Sequence, residues 1–266
     1  TGKGNRHLGG GGDVAVTVAE VLALLERIAP AELAEEWDNV GLLAGSRTAA
    51  VETVLCALEL NADVLDEAAS LGAHLIVTHH PILFRGRKSL CSDDPEGRLL
   101  CKLVKSDVAL IAAHTNFDNA HPGVNDALAA RLGLENVQPG AHGMCVGEIS
   151  PMALECFADM VRCNLGGAVR RYGDGARVIR RAAVLGGAGE DFARDALAAG
   201  ADVYVTGEMG YHRALSAVDD GLCVVEAGHA ATEAPAVFLL ADALQTAADA
   251  LQYNLRVLCS QRELFL

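Results

Sequence analysis

The chain has 266 residues, 51% of them hydrophobic, and a formal charge of -14; that is enough to bury the core of one large domain or two small ones. No apolar run reaches the roughly 18 residues that a membrane span needs, and the N-terminus lacks the apolar stretch of a signal peptide, so a cytoplasmic protein is expected. The negative charge argues against a sequence-independent grip on nucleic acid, which depends on Lys and Arg neutralising phosphates.

Residues 1–12 hold six glycines without apolar periodicity and read as a flexible leader. From Thr17 the apolar positions Val18, Val21, Leu22, Leu25 and Ile28 recur at helical spacing, with Thr17 as N-cap and Pro30 closing the segment. A strand over 53–58, a helix over 62–71, a strand over 74–78, a helix over 96–105 and a strand over 108–112 follow. Strands alternating with helices predict an α/β fold with mostly parallel pairing. Residues 136–150, rich in Gly and Pro, read as a join between a first half, 13–135, and a second, 151–266, whose C-terminal segment is free to pack back on the first.

The halves resemble each other. At an offset of 128, Leu71 to Thr78 aligns with Ala199 to Thr206; at an offset of 115, Val108 to Asp118 aligns with Cys223 to Glu233. The second pair of segments reads as a hydrophobic strand followed by His-x-x-x-Asp or His-x-x-x-Glu. Two related α/β domains from an internal duplication are expected, with a metal site between them at the carboxyl ends of the strands, where loops of open α/β sheets meet.

The candidate ligands sit at such ends: His79 and His80 after Ile76-Val77-Thr78, His114 and Asp118 after Leu110-Ile111-Ala112, and His229 and Glu233 after Cys223-Val224-Val225. An imidazole and a carboxylate four residues apart present both groups to one side. Six donors exceed what one reactive metal takes, so two divalent ions sharing a bridging carboxylate are expected. Imidazole and carboxylate without thiolate suit Zn, Fe, Mn, Ni or Co alike. His7, His74 and His142 are assigned to leader, strand entry and join, while His121 and His212 are candidates for a surrounding pocket.

Eight cysteines without a C-x-x-C pair read as reduced thiols, with Cys56 and Cys223 inside apolar runs. Basic residues gather at Arg85, Arg87 and Lys88, close enough to the histidine pair to orient a phosphate, and at Arg170, Arg171, Arg177, Arg180 and Arg181; a solvated surface is the plainer reading of both. No P-loop and no G-x-S-x-G elbow is present. The run Gly186-Gly187-Ala188-Gly189 has the look of a phosphate-binding turn without its full spacing, and a tight strand-to-helix turn accounts for it.

The segments Glu36-Trp37-Asp38-Asn39-Val40-Gly41-Leu42-Leu43-Ala44-Gly45, Thr78-His79-His80-Pro81-Ile82-Leu83-Phe84, His114-Thr115-Asn116-Phe117-Asp118, Val205-Thr206-Gly207-Glu208 and Ala227-Gly228-His229-Ala230-Ala231-Thr232-Glu233 occur in this order. Together they resemble the NIF-three-like, YbgI-type dinuclear metal proteins, whose members are often called GTP cyclohydrolase 1 type 2 homologues. The resemblance covers roughly residues 17–250. It implies that His79, His80, His114, Asp118, His229 and Glu233 are the metal ligands, that two related α/β domains hold the ions between them, and that the chains form a homohexameric ring. One departure stands out: Met144-Cys145 precedes Val146-Gly147-Glu148 where members commonly have Gly-Arg.

These residues predict a metal-dependent hydrolase in which a metal-bridged water attacks a small-molecule substrate, with Asp118 and Glu233 modulating its protonation. The competing expectation is a non-catalytic ring that stores, delivers or senses metal, or serves as a scaffold. A nucleic-acid-associated ring is disfavoured by the charge.

Overall fold

The computed structural model describes residues 15–262; the leader read over 1–12, with His7, lies outside them. The first helix, α1 (Val18–Ile28), starts where its sequence requires. Thr17 Oγ1 accepts from Glu20 N, and the Thr17 amide donates to Glu20 Oε2 at 2.7 Å, satisfying otherwise unpaired N–H groups at the helix start. Its buried stripe, Val18, Val21, Leu24 and Leu25, packs on the first sheet.

In chain order there follow β1 (Gly41–Ala44), β2 (Thr53–Ala57), α2 (Ala62–Leu71), β3 (Leu75–Thr78), α3 (Pro95–Ser106), β4 (Ala109–Ala112), the single turn α4 (Thr115–Asp118) and α5 (Val124–Arg131). The second half comprises β5 (Glu135–Pro139), β6 (Cys145–Ala153), α6 (Leu154–Leu165), β7 (Arg170–Tyr172), β8 (Val178–Ala188), α7 (Ala193–Ala198), β9 (Val203–Glu208), α8 (Tyr211–Asp219), β10 (Cys223–Glu226), the long α9 (His229–Ala250) and β11 (Arg256–Cys259).

Two sheets result, ordered β1-β4-β3-β2-β11 and β5-β6-β8-β9-β10-β7. In each, three parallel strands form the centre: β2, β3 and β4 in one, β8, β9 and β10 in the other. The strand beyond the third, β1 or β7, runs antiparallel, so the halves share both order and sense there. The first sheet is therefore mostly parallel, as expected, whereas the second is mixed, since β6 also runs antiparallel to β5 and β8. The C-terminal β11 crosses back and pairs in parallel with β2.

Burial on both faces explains the near-continuous apolar runs of the central strands. In the first sheet Val54, Cys56, Val77 and Ile111 face α1 and α9, whereas Leu55, Ala57, Ile76 and Leu110 face α2 and α3. In the second, Val184, Val205 and Val225 meet Leu128 of α5 and Phe157 and Val161 of α6, while Ala183, Tyr204 and Val224 meet α7 and α8. α9 packs against α1, α5, β2, β8 and β9, and so joins the two sandwiches.

Residues 136–150, expected as a join, belong to the β5–β6 pair of the second sheet. The exposed edge strand β5 has no buried face to generate alternation. Gly147 is there for close approach: a Cβ would lie 2.9 Å from the Glu135 carbonyl oxygen across the pair.

Candidate metal centre

Each ligand candidate is held by a short, regular device at the end of a strand. The His79 and His80 amides donate to the carbonyls of Ala57 and Leu58 at 3.1 and 2.9 Å, which carries the β2–β3 pairing one step past the strand and aims two consecutive imidazoles into the crevice. The turn of α4 closes with the Asp118 amide donating to the His114 carbonyl at 3.0 Å, bringing His114 and Asp118 to one side. Gly228, at φ +88, turns the chain from β10 into α9, and His229 and Glu233 stand one helical turn apart.

All six residues come together. Asp118 Oδ1 and Glu233 Oε1 lie 3.5 and 3.9 Å from His79 Nε2; Glu233 Oε2 lies 3.0 Å from His80 Nε2, and Oε1 lies 3.2 Å from His229 Nε2. Three overlapping triads, His79-His80-His114, His80-His229-Glu233 and His79-Asp118-Glu233, each place their ligand atoms within 4.8 Å of one another and can hold metal. Glu233 belongs to two of them.

The four imidazoles share a second feature that sequence reasoning did not assign. Each has its Nδ1 facing a partner outside the cluster: the Ala113 carbonyl at 2.9 Å for His79, Glu59 at 3.2 Å for His80, Asp38 at 2.9 Å for His114 and Glu208 at 3.5 Å for His229. Such partners fix the ring orientation and turn Nε2 toward the cluster, where it can coordinate a metal. Asp38 is itself locked, its Oδ2 accepting from the Thr115 amide at 3.0 Å and the Thr115 hydroxyl at 2.5 Å. Two signals for these residues were present. Asp38 lies in the Trp-Asp-Asn segment, and the 128-residue offset that matches Thr78 to Thr206 also matches His80 to Glu208.

The donor set fits divalent metal. His79 is 3% exposed, and its Nε2 has no hydrogen-bond partner although two carboxylates face it; a buried imidazole nitrogen in that condition is costly unless something coordinates it. Burial lowers the His79 pKa to about 4, which keeps the ring neutral as a ligand must be. The Glu233 carboxyl would be raised by burial alone, but His229 and His80 hold it well below the usual carboxylate range. Its partner His229 is raised to about 9, first by the hydrogen bond to Glu233 and against the cost of burial. His80 moves up through the same carboxylate despite its burial. Asp118 is raised well above the ordinary value, by burial and then by the charges of Glu233 and Asp38. In the absence of cations the two ligand carboxylates thus repel each other, which a shared metal relieves.

The glycine run behind the cluster is a cradle and not an anion nest. The amides of Gly186, Gly187 and Gly189 donate to Asn125 Oδ1, Thr232 Oγ1 and Thr206 Oγ1 at 2.8, 3.0 and 3.1 Å, so none is left for a phosphate. Gly187, at φ +66, lies where a Cβ would collide with Glu233 Oε1 and approach His229 Nε2 to 3.3 Å.

The cluster opens into a cavity of about 1330 Å³ bounded by both halves. His142, assigned to the join, lines it instead. His121 and His212 are not among the lining residues: the first pairs with Asp126 at 2.9 Å, the second lies against the Tyr211 ring on the exposed side of α8. Arg85, Arg87 and Lys88 are absent from the lining too, and Arg87 is engaged with Asp94 and Glu96 at 2.7 and 3.0 Å. Cys145 is buried in β6 beside Asp126, where burial and that carboxylate push its thiol up to about 12. Asp126 also caps α5 through the Gly123 amide.

The sequence model of the Duf34/NIF3 (NGG1p interacting factor 3) family matches residues 16–264. The chain belongs to the Duf34/NIF3 family. Two of its relatives, each named GTP cyclohydrolase 1 type 2 homolog, come from Clostridium acetobutylicum and Streptomyces coelicolor. The first is 32% identical over 94% of this chain and 98% of its own length. The second is 35% identical over 90% of each. The crystal structure of a Bacillus cereus protein related to NIF3 superposes with a TM-score of 0.89 at 28% identity, covering 95% of this chain and 99% of that one. Among the described residues of this Duf34/NIF3 chain, no helix is long and apolar enough to cross a membrane.

Proposed function

We propose that His79, His80, His114, Asp118, His229 and Glu233 hold two divalent metal ions and that the protein is a metal-dependent hydrolase of a small molecule. The observation that carries this reading is the convergence of four imidazoles, each oriented by an outer partner, on two carboxylates at the mouth of a large cavity. Bound there, a metal pair supplies Lewis acidity and activates water near neutral pH. In this reading Glu233, which is common to two triads, is the shared ligand. Asp118, which also lines the cavity, would supply the second carboxylate to the metal pair and modulate the protonation of its water. Asp38, Glu59 and Glu208 keep the imidazoles in register while this happens.

The cavity favours turnover over storage: a closed site suits a structural or stored ion, whereas this one leaves room for a reactant beside the ligands. The names of the relatives suggest GTP, yet the described residues that line the cavity include no Lys or Arg and no P-loop, so GTP is not adopted as the substrate. A homohexameric ring belongs to the same reading, through the family resemblance. Light scattering on the purified protein tests it, with a mass near six chains expected.

The deciding experiment is elemental analysis of the purified protein beside its Asp118→Ala and His229→Ala variants. About two metals per chain, lost in both variants, is the expected result. A wild type that takes up none after reconstitution with Zn, Mn, Fe or Ni overturns the reading.

A further inference from the structure

Among the described residues, one further group of metal-ligating side chains lies outside the six-residue centre: His121, Asp126 and Cys145. Each can present one donor, an imidazole nitrogen, a carboxylate oxygen or a thiol sulfur, and the three donors lie within 4.8 Å of one another. They come from separate elements. His121 sits in the loop between α4 and α5, Asp126 in the first turn of α5, and Cys145 at the start of β6, against which α5 packs.

The two outer donors are oriented by the protein itself. Asp126 Oδ2 accepts from the Gly123 amide and faces His121 Nδ1, both at 2.9 Å. The loop that carries His121 has little choice of path, since a Cβ on Gly123 would lie 2.3 and 2.4 Å from the carbonyl oxygens of Ala120 and Phe117. Donors held in this way lose less freedom when they bind. Burial deepens from solvent inward. The side chains of His121 and Asp126 are 39% and 30% exposed, and Cys145 is fully buried behind them.

The chemistry of this trio differs from that of the centre, which has no sulfur donor. A thiolate and a carboxylate carry two negative charges and a neutral imidazole none, so a divalent ion held by all three is neutralised where it sits. Without a cation, burial and the facing Asp126 carboxylate keep the Cys145 thiol protonated. A bound ion reverses that preference, because coordination deprotonates a thiol. Sulfur favours ions such as Zn(II) over Mn(II) and Mg(II), which prefer oxygen. Three protein donors beside solvent leave a fourth, tetrahedral position for water.

We infer that His121, Asp126 and Cys145 form a further metal site, separate from the six-donor centre, which takes one thiophilic divalent ion of the zinc type. One donor stands on an exposed loop and the thiol must give up its proton, so this ion is held more loosely than the pair. It is taken up on titration and is not retained through purification.

The purified protein, with its metal content measured and its thiols kept reduced, is titrated anaerobically with Co(II). A thiolate bound to Co(II) gives an intense charge-transfer band in the near ultraviolet, and imidazole and carboxylate ligands give none. One Co(II) per chain beyond the resident metal is expected, with that band, and Zn(II) should displace it and bleach the band. Cys145→Ser is expected to abolish the band. His121→Gln, and Asp126→Asn, which keeps an acceptor for the Gly123 amide, should each weaken uptake at least about tenfold. Circular dichroism checks the fold of each variant, and His121→Gln, on the exposed side, decides the matter if Cys145→Ser does not fold.

Uptake without the band overturns the inference. So does a band undiminished in Cys145→Ser or His121→Gln, because exposed thiols such as Cys91, Cys156 and Cys163 would then be the ligands. The two proposals fail separately. Asp118→Ala and His229→Ala should keep the band, so a protein whose centre takes no metal but which shows the band sinks only the reading of the centre. A metal-loaded centre without any cobalt–thiolate band sinks only this one.

Discussion

Replacing Gly187 by alanine tests the centre without touching a ligand. Two costs are expected, and they can be separated. The first is conformational: Gly187 sits at φ +66, where an L side chain loses roughly 1–2 kcal/mol. For a chain of this size that corresponds to a fall in Tm of about 2–8 °C. The second is local: the new Cβ would overlap Glu233 Oε1, and Glu233 is 4% exposed, anchored in α9 and within 3.2 Å of His229 Nε2 and 3.0 Å of His80 Nε2. With little freedom to yield, the carboxylate must leave its place among the imidazoles. Disturbing even an outer partner of a metal ligand weakens affinity by about 10–100-fold, so a loss of at least about tenfold is expected here. Gly200→Ala is the matched control, since Gly200 has φ +79 and nothing within 4 Å of the position of its Cβ. Both variants should lose thermal stability in the metal-free state, measured by circular dichroism, and Gly187→Ala should lose more because it also displaces Glu233 from His229 and His80. Only Gly187→Ala should lose metal in a chelator competition monitored by elemental analysis. Equal metal retention in the two variants would refute the placement of Glu233 as a ligand.

Asp38→Asn should lower metal affinity by about 10–100-fold while the fold survives, because one of the donors from His114 and Thr115 then faces an amide N–H2; unchanged affinity in the same chelator assay would contradict the role given to Asp38. In metal-free protein the raised His229 makes a stabilising contribution that is fully present below its ordinary pKa of 6.5 and is lost as pH rises through about 9, so Tm should fall across that window and the fall should vanish in His229→Ala. The depressed Glu233 contributes above its ordinary value of 4.5, and that part is lost as pH falls further into acid. Metal uptake, which must displace the His229 proton, should tighten from pH 6.5 to 9 in calorimetric titrations. Thr17→Ala removes one side of the capping box at α1 and should cost about 1 kcal/mol in denaturant unfolding with metal content unchanged.

The sequence by itself determined which donor types the candidate centre brings together. Ligand type follows from composition, and strand-end placement follows from hydrophobic runs that stop just before His79, His114 and His229, because central strands buried on both faces leave a continuous apolar signature. The internal offset was legible for the same reason, as the parallel cores β2-β3-β4 and β8-β9-β10 repeat one pattern of burial. Only the tertiary structure decided what surrounds the six candidate ligands. Asp38, Glu59 and Glu208 reach their imidazoles across 76, 21 and 21 residues of chain respectively, and nothing in local periodicity marks a carboxylate that points inward from a loop or a strand end. The β5–β6 pair was hidden because an exposed edge strand carries no alternation, and a glycine required for close approach looks in sequence like one that frees a linker. His142 likewise gained its place in the cavity from a left-handed turn, a backbone state that its own residue type does not announce.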